Sequence, residues 1–215
     1  MIKTLRQAIS NVNDDLKSSN LDDRFSYRFI GRKLIKRIET FLKQDSLDRS
    51  IFNINEIWKP LKCIELKDDY SYYGDYYIKR SCNKIPEVYT GKYGNFIKIL
   101  NIKNSMEYKQ CKPFEYKDLK NREFQNKRIK YFWIEEGYLY IPDSEVNEVK
   151  AFGLFKDSQE ADFFNGVVDC CYKPLDSELL VPDYIVDIAI KDIVQELRNI
   201  NKTLNEDTNP NQTKN

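Results

Sequence analysis

The sequence of 215 residues contains no histidine. That absence removes the Ser-His-Asp and Cys-His nucleophile systems, every His-containing zinc site and the one side chain that normally titrates near neutral pH. Carboxylate, lysine and thiol chemistry remain. Glu65-Leu66-Lys67 matches the E-x-K half of one metal-nuclease signature. The same spacing recurs at Glu107-Tyr108-Lys109, Glu115-Tyr116-Lys117 and Glu148-Val149-Lys150, as expected when 32% of residues are charged, and no Pro-Asp precedes Glu65 at a suitable distance. These residues read as exposed strand charges. Gly91-Lys92-Tyr93-Gly94 lacks the frame of a phosphate-binding P-loop and reads as a hairpin turn. The five cysteines, Cys63, Cys82, Cys111, Cys170 and Cys171, form no C-x-x-C pair, and their odd number fits poorly with a disulfide framework. They read as reduced packing residues. No residue is assigned to catalysis, to a metal or to a cofactor, and the expected class is not an enzyme.

The charge pattern is more informative than the formal net charge of +1. Between Ile102 and Lys130 nine basic residues face four acidic ones, a balance of +5. Lys109, Lys112, Lys117, Lys120, Arg122, Lys127 and Arg128 of this segment could meet a phosphate backbone, a partner protein or only solvent. From Glu135 to Glu196 fifteen acids face four bases, a balance of −11. Arg24, Arg28, Arg32 and Lys36 follow one another at four-residue steps on one helix face, and Asp183, Asp187, Asp192 and Glu196 form a rough acidic counterpart near the C-terminus. Such faces could set a head-to-tail contact between identical subunits, or stay solvated. Tyr72, Tyr73, Tyr76 and Tyr77 crowd around Gly74 beside several aspartates. They suit a protein contact or ordinary loop packing better than stacking on bases.

Helices and strands must position these residues. Ile2, Leu5, Ile9, Val12 and Leu16 form one helical stripe, predicting a helix from about Lys3 to Ser18. Asn20 can cap a second helix with Asp22 and Asp23 in its first turn and a core stripe of Tyr27, Ile30, Leu34, Ile38, Phe41 and Leu42. From Leu61 the period shifts toward two, with candidate strands Leu61–Leu66, Val88–Tyr89, Phe96–Ile102, Ile129–Glu135, Tyr138–Ile141 and Val146–Leu154, and a Glu136-Gly137 turn. Asp157–Phe164 reads as a short helix. Pro182 then opens a long helix to about Ile200. Residues 201–215 are almost entirely polar and are expected to be disordered. No stretch approaches the roughly 20 apolar residues of a membrane span, and the start lacks the apolar core of a signal peptide, so a soluble intracellular protein without membrane contact is expected.

Three stretches carry a resemblance. Asn20-Leu21-Asp22-Asp23-Arg24-Phe25-Ser26-Tyr27-Arg28-Phe29-Ile30, Glu136-Gly137-Tyr138-Leu139-Tyr140-Ile141-Pro142-Asp143, and Lys173-Pro174-Leu175-Asp176 before Val181-Pro182-Asp183-Tyr184-Ile185 resemble the ring proteins in the neck of crAss-like bacteriophages. In layout the chain is also similar to podovirus portal adaptors, the head-to-tail connectors that dock under the portal. The resemblance implies a virion structural protein assembled in the bacterial host cytoplasm, a ring of about twelve copies, and a channel for double-stranded genome DNA. It also implies contact with the portal and other neck or tail rings, and a C-terminal tail that orders on binding. The alternative is a nucleic-acid-binding accessory protein using segment 102–130.

The expected fold class is α+β, a bundle of the N-terminal helical pair and the long C-terminal helix with a β-rich insertion. Its parts are 1–60 for the N-terminal helices and connector, 61–156 for the insertion, 157–200 for the C-terminal helices and 201–215 for the tail.

Overall fold

The computed structural model describes residues 3–18, 25–44, 57–69, 77–92, 94–103, 105–122, 129–166 and 173–207. Helix α1 spans Leu5–Lys17. Thr4 caps it by accepting from the Gln7 amide, and the Gln7 side chain returns a bond to the Thr4 amide, so two otherwise orphaned donors are satisfied together. Helix α2 spans Tyr27–Leu42 and is capped by Ser26, whose Oγ accepts from the Phe29 amide at 3.3 Å. The expected cap at Asn20 is therefore displaced: the hydroxyl nearest the apolar stripe takes the role, and residues 19–24 lie outside the described residues.

The C-terminal helix (α5 here) runs over Asp183–Asp207, past the Ile200 at which its apolar periodicity ends. Helix elongation adds one hydrogen bond per residue, and no Gly or Pro interrupts the chain before Pro210. Residues 208–215 lie outside the described residues.

Among the described residues the middle of the chain forms nine strands: β1 Lys59–Asp69, β2 Ile78–Ser81, β3 Thr90–Gly91, β4 Gly94–Asn95, β5 Ile97–Asn101, β6 Glu107–Gln110, β7 Tyr131–Glu135, β8 Tyr138–Pro142 and β9 Glu148–Gly153. Seven of them close into a barrel in the order β1-β2-β8-β7-β6-β5-β9, with β9 returning to β1. A bulge interrupts the β1–β9 ladder. Leu61 pairs with Ala151 and Ile64 with Val149, so β1 carries one extra residue there and bends. Its first part then pairs with β9, and Leu66–Asp69 pairs with β2.

All the barrel pairings are antiparallel except β6 with β7, which run parallel and need a crossover. Helix α3, Pro113–Lys120, lies in that crossover. The tight β7–β8 turn has Glu136 at φ 51° and Gly137 at φ 83°, the paired left-handed residues that suit strand twist.

The expected helical bundle with a β-rich insertion is thus corrected to five helices among the described residues beside a closed seven-stranded barrel with its own core. Three physical causes hid the barrel. Strands β2 and β6 have four residues each and hold charged residues, one of them, Lys79, buried; a bulge interrupts β1; and the β6–β7 pairing is non-local.

The barrel is filled by Leu61, Ile64, Ile99, Phe132, Leu139, Ile141 and Val149 among others, with Ala161 of α4 (Ser158–Phe164) packed into the same cluster. A separate core joins α1, α2 and α5 through Ile9, Val12, Leu34, Ile38, Ile193 and Leu197. Tyr89, Phe96 and Leu154 belong to this helical core yet come from segments attached to the barrel, so they cement the two layers. Helix α5 runs parallel to α1, since Lys3 meets Asp187 and Arg198 donates to the Asp15 carbonyl at 2.7 Å. It runs antiparallel to α2, since Lys33 meets Glu196 while Arg37 reaches both Asp192 and Glu196 at 2.8 Å.

Two stability predictions follow from these contacts. The Tyr89 hydroxyl is fully buried with no hydrogen-bond partner among the described residues, and burial holds its pKa above the usual phenol value. Tyr89→Phe removes an unsatisfied group and is expected to raise the melting temperature, a gain on the order of 1 kcal/mol; a clear loss would mean that the hydroxyl is bonded.

Glu196 is held below its ordinary pKa of 4.5, first by its bond to Lys33, against a desolvation cost, and then by Arg37. A carboxylate depressed in the folded state stabilises it above the unfolded pKa and loses that contribution as pH falls through the folded value. Glu196→Gln is therefore expected to lower the melting temperature at pH 7, with the gap to the native chain closing as pH falls below 4.5. A gap independent of pH would refute the pairing.

Candidate functional site

On α2, Ile30, Leu34, Ile38 and Leu42 take the buried side. This leaves Arg28, Arg32 and Lys36 exposed on the other side, with no ion pair to any of them among the described residues. Arg24 lies outside the described residues. Tyr27 and Phe29 flank this cationic face and are 55% and 40% exposed. Phe29 stacks on Phe25 at 5.8 Å between ring centroids, with Lys33 over its ring.

The acids read as a counterpart are mostly engaged inside the chain. Asp187 meets Lys3, Asp192 meets Arg37, and Glu196 meets both Lys33 and Arg37. Asp183 sits in the first turn of α5, where negative charge complements the helix dipole. Lys33 and Arg37 were missed from sequence. Their signal was position: each flanks the buried stripe one residue after Arg32 and Lys36, and so turns about 100° further toward α5.

The basic segment divides into two elements, β6 and α3, each too short to show a period. Tyr116 anchors α3 against Trp133 and Tyr140, which stack at 5.9 Å on the outer wall of the barrel. The Tyr116 hydroxyl donates to the Asp143 carboxylate at 2.8 Å and Lys120 Nζ lies 2.6 Å from it. Lys112 pairs with Glu115 at 3.8 Å and sits over the Phe114 ring, which is 71% exposed. Lys109, Lys117 and Arg122 point to solvent. Lys127 and Arg128 lie outside the described residues, as do Tyr72, Tyr73 and Tyr76. Tyr77 donates its hydroxyl to Asp68, which raises its pKa, and its ring lies 5.7 Å from Lys79 Nζ.

Glu65 and Lys67 stand on the exposed side of β1, alternating with buried Leu66, and Glu65 pairs in register with Glu148. Among the described residues no group of three or more His, Cys, Asp or Glu is placed to hold a metal ion. Cys63, Cys82 and Cys111 are free thiols, and burial pushes Cys111 up to about 12. Cys170 and Cys171 lie outside the described residues. No described helix is long and apolar enough to cross a membrane.

Sequence reasoning also missed a groove of about 1230 Å³ between the 83–88 segment, the β7–β8 turn and α4. Ile85, Val88, Ile134 and Phe163 give it apolar walls, and Glu136 and Glu160 stand on its rim. Burial, then the nearby Asp157 and Glu87 charges, hold the Glu160 carboxyl above its usual range. No signal could have marked it, because its walls come from three separate parts of the chain.

The described residues present charged and aromatic surfaces on a barrel and a helical layer. No curated protein matches the sequence. The crAss ring family described as phage tail ring protein 2 matches residues 7–215. That match covers nearly the whole chain, helical layer and barrel alike, and the chain belongs to the phage tail ring protein 2 family of crAss-like bacteriophages.

Proposed function

We propose that this protein forms a ring of about twelve copies in the phage neck, joining portal to tail around a channel for genome DNA. As a tail ring protein it is a structural virion component that assembles with other tail proteins. The observation that carries the ring reading is the cationic face of α2, without an ion pair among the described residues, beside a barrel with no free edge. Closure occupies both sides of every barrel strand, so copies of this chain cannot join by adding strand to strand at the barrel. Contacts at the barrel must use side-chain faces, and on α2 Arg28, Arg32 and Lys36 supply one with no ion pair among the described residues.

Quantitative mass spectrometry of purified virions tests this reading. About one copy per portal subunit is the expected result, and absence of the chain from virions would overturn it.

A second reading rests on Lys109, Lys117 and Arg122, which are exposed with no acid paired to them in the described structure. A nucleic-acid-binding accessory protein using these residues would show affinity for duplex DNA that falls steeply with salt. Replacing all three by alanine would then make that dependence shallower by about three in slope. The neck-ring reading expects no retention of duplex DNA at near-physiological salt, because a channel wall that grips DNA would hinder its passage. Electrophoretic mobility across a salt series decides between them.

A further inference from the structure

The cationic face of α2 and the groove beside α4 are complementary, and both are present on one chain. Arg28, Arg32 and Lys36 advance along α2 by about 6 Å per four-residue step, and Tyr27 and Phe29 stand beside them, part-exposed. The groove offers the converse surface. Its lining mixes apolar Ile134 and Phe163, the latter 70% exposed, with polar residues that include Asn83 and Lys84, and its rim carries Glu136 at the tip of the β7–β8 turn and Glu160 on the first turn of α4.

Neighbouring cations leave those two acids unanswered. Lys84 lies over the Tyr138 ring, at 5.6 Å from its centroid, and Lys156 joins Glu39 to Glu87. Glu136 and Glu160 have no ion pair among the described residues, and the like charges of Asp157 and Glu87 crowd Glu160. A positively charged, aromatic-flanked helix face relieves that repulsion and covers the apolar wall together. Three of the acids of α5 are already engaged within the chain, Asp187 by Lys3, Asp192 by Arg37 and Glu196 by Lys33 and Arg37.

We propose that the Arg28, Arg32 and Lys36 face of one copy docks on the groove rimmed by Glu136 and Glu160 of the next, with Tyr27 and Phe29 against the wall that includes Phe163. Two different patches that complement each other make a head-to-tail contact, the kind that closes a ring when the rotation permits. The contact rests on the ring reading above and names the surfaces that ring would use.

The test compares three full-length samples by analytical ultracentrifugation at high protein concentration and low salt. These are the native chain, the Arg28→Glu/Arg32→Glu variant and the Glu136→Lys/Glu160→Lys variant. The native chain is expected to associate and each variant alone to sediment as a monomer, because each then opposes like charge to like. An equimolar mixture of the two variants is expected to regain association, since each reversed surface meets its complement on the other chain. Circular dichroism and melting temperature establish that both variants fold; all four positions are exposed.

Association of either variant alone at the native level, a mixture that stays monomeric, a native chain that never associates, or assembly that stops at a dimer would each overturn the contact. A virion copy number near that of the portal combined with any of those results removes this interface and leaves the ring. Absence from virions removes the ring itself.

Discussion

Strand β1 must satisfy two neighbours at once, and the rest of the structure depends on how it does so. Strand β1, eleven residues long, lies between β9 on one edge and β2 on the other, and around Glu65 and Leu66 it bonds toward both sides. An extra residue between Leu61 and Ile64 bends it within the β9 ladder, and its last four residues pair with β2. Closure then forces the other unusual pairing. With β5 and β8 each already holding an antiparallel neighbour, the gap between them is filled by β6 and β7 running parallel, and the chain must leave and return outside the wall. Helix α3 is the part of that detour that carries Tyr116 onto Trp133 and Tyr140. A barrel without edges also determines what kinds of contact remain open to the barrel itself, which are those made by side-chain faces.

The helical layer is coupled to this barrel through a few residues that belong to both. Tyr89, Phe96 and Leu154 leave the barrel strands and enter the core of α1, α2 and α5, and Lys156 ties Glu39 of α2 to Glu87. Ser158, Ser177 and Asp157 add a buried hydrogen-bonded cluster where the chain passes from barrel to α5, with Ser177 donating to Asp157 at 2.7 Å. Breaking one member leaves its buried partners unsatisfied, which costs more than the bond contributes when intact. Loss of a single group in this junction is felt by both layers.

The helical layer was the legible part of the sequence, because its amphipathic stripes are local and long. Ile9, Val12, Leu34, Ile38, Ile193 and Leu197 are buried as their periodicity requires. The closed barrel was not legible. Ile78–Ser81 and Glu107–Gln110 hold four residues each, Lys79 is buried against Asn147 although lysine ordinarily signals an exposed position, and the bulge in β1 leaves no mark in composition. Charge reading succeeded only by halves. Four-residue spacing located cations that stay exposed on α2, while the seam to α5 uses Lys33 and Arg37, which a four-residue count steps over because a helix turns every 3.6 residues. The groove beside α4 combines residues from position 83 to position 164, a relation that exists only after closure.

The start of α1 is tied to the segment before α5: the Leu5 amide donates to the Ser177 carbonyl at 2.9 Å, the Leu179 amide to the Lys3 carbonyl at 2.8 Å, and Lys3 meets Asp187. The barrel lies in the chain between α2 and α5, so this tie closes a loop around it. Tension applied between the start of α1 and the far end of α5 would run through the tie and along α5, loading the parallel α1–α5 seam in shear and leaving the barrel strands off the line of force. In mechanical terms the barrel is a side-loaded member and the three-helix layer the tensile one. A subunit built this way can transmit strain along its helices while the surfaces carried by its barrel keep their shape.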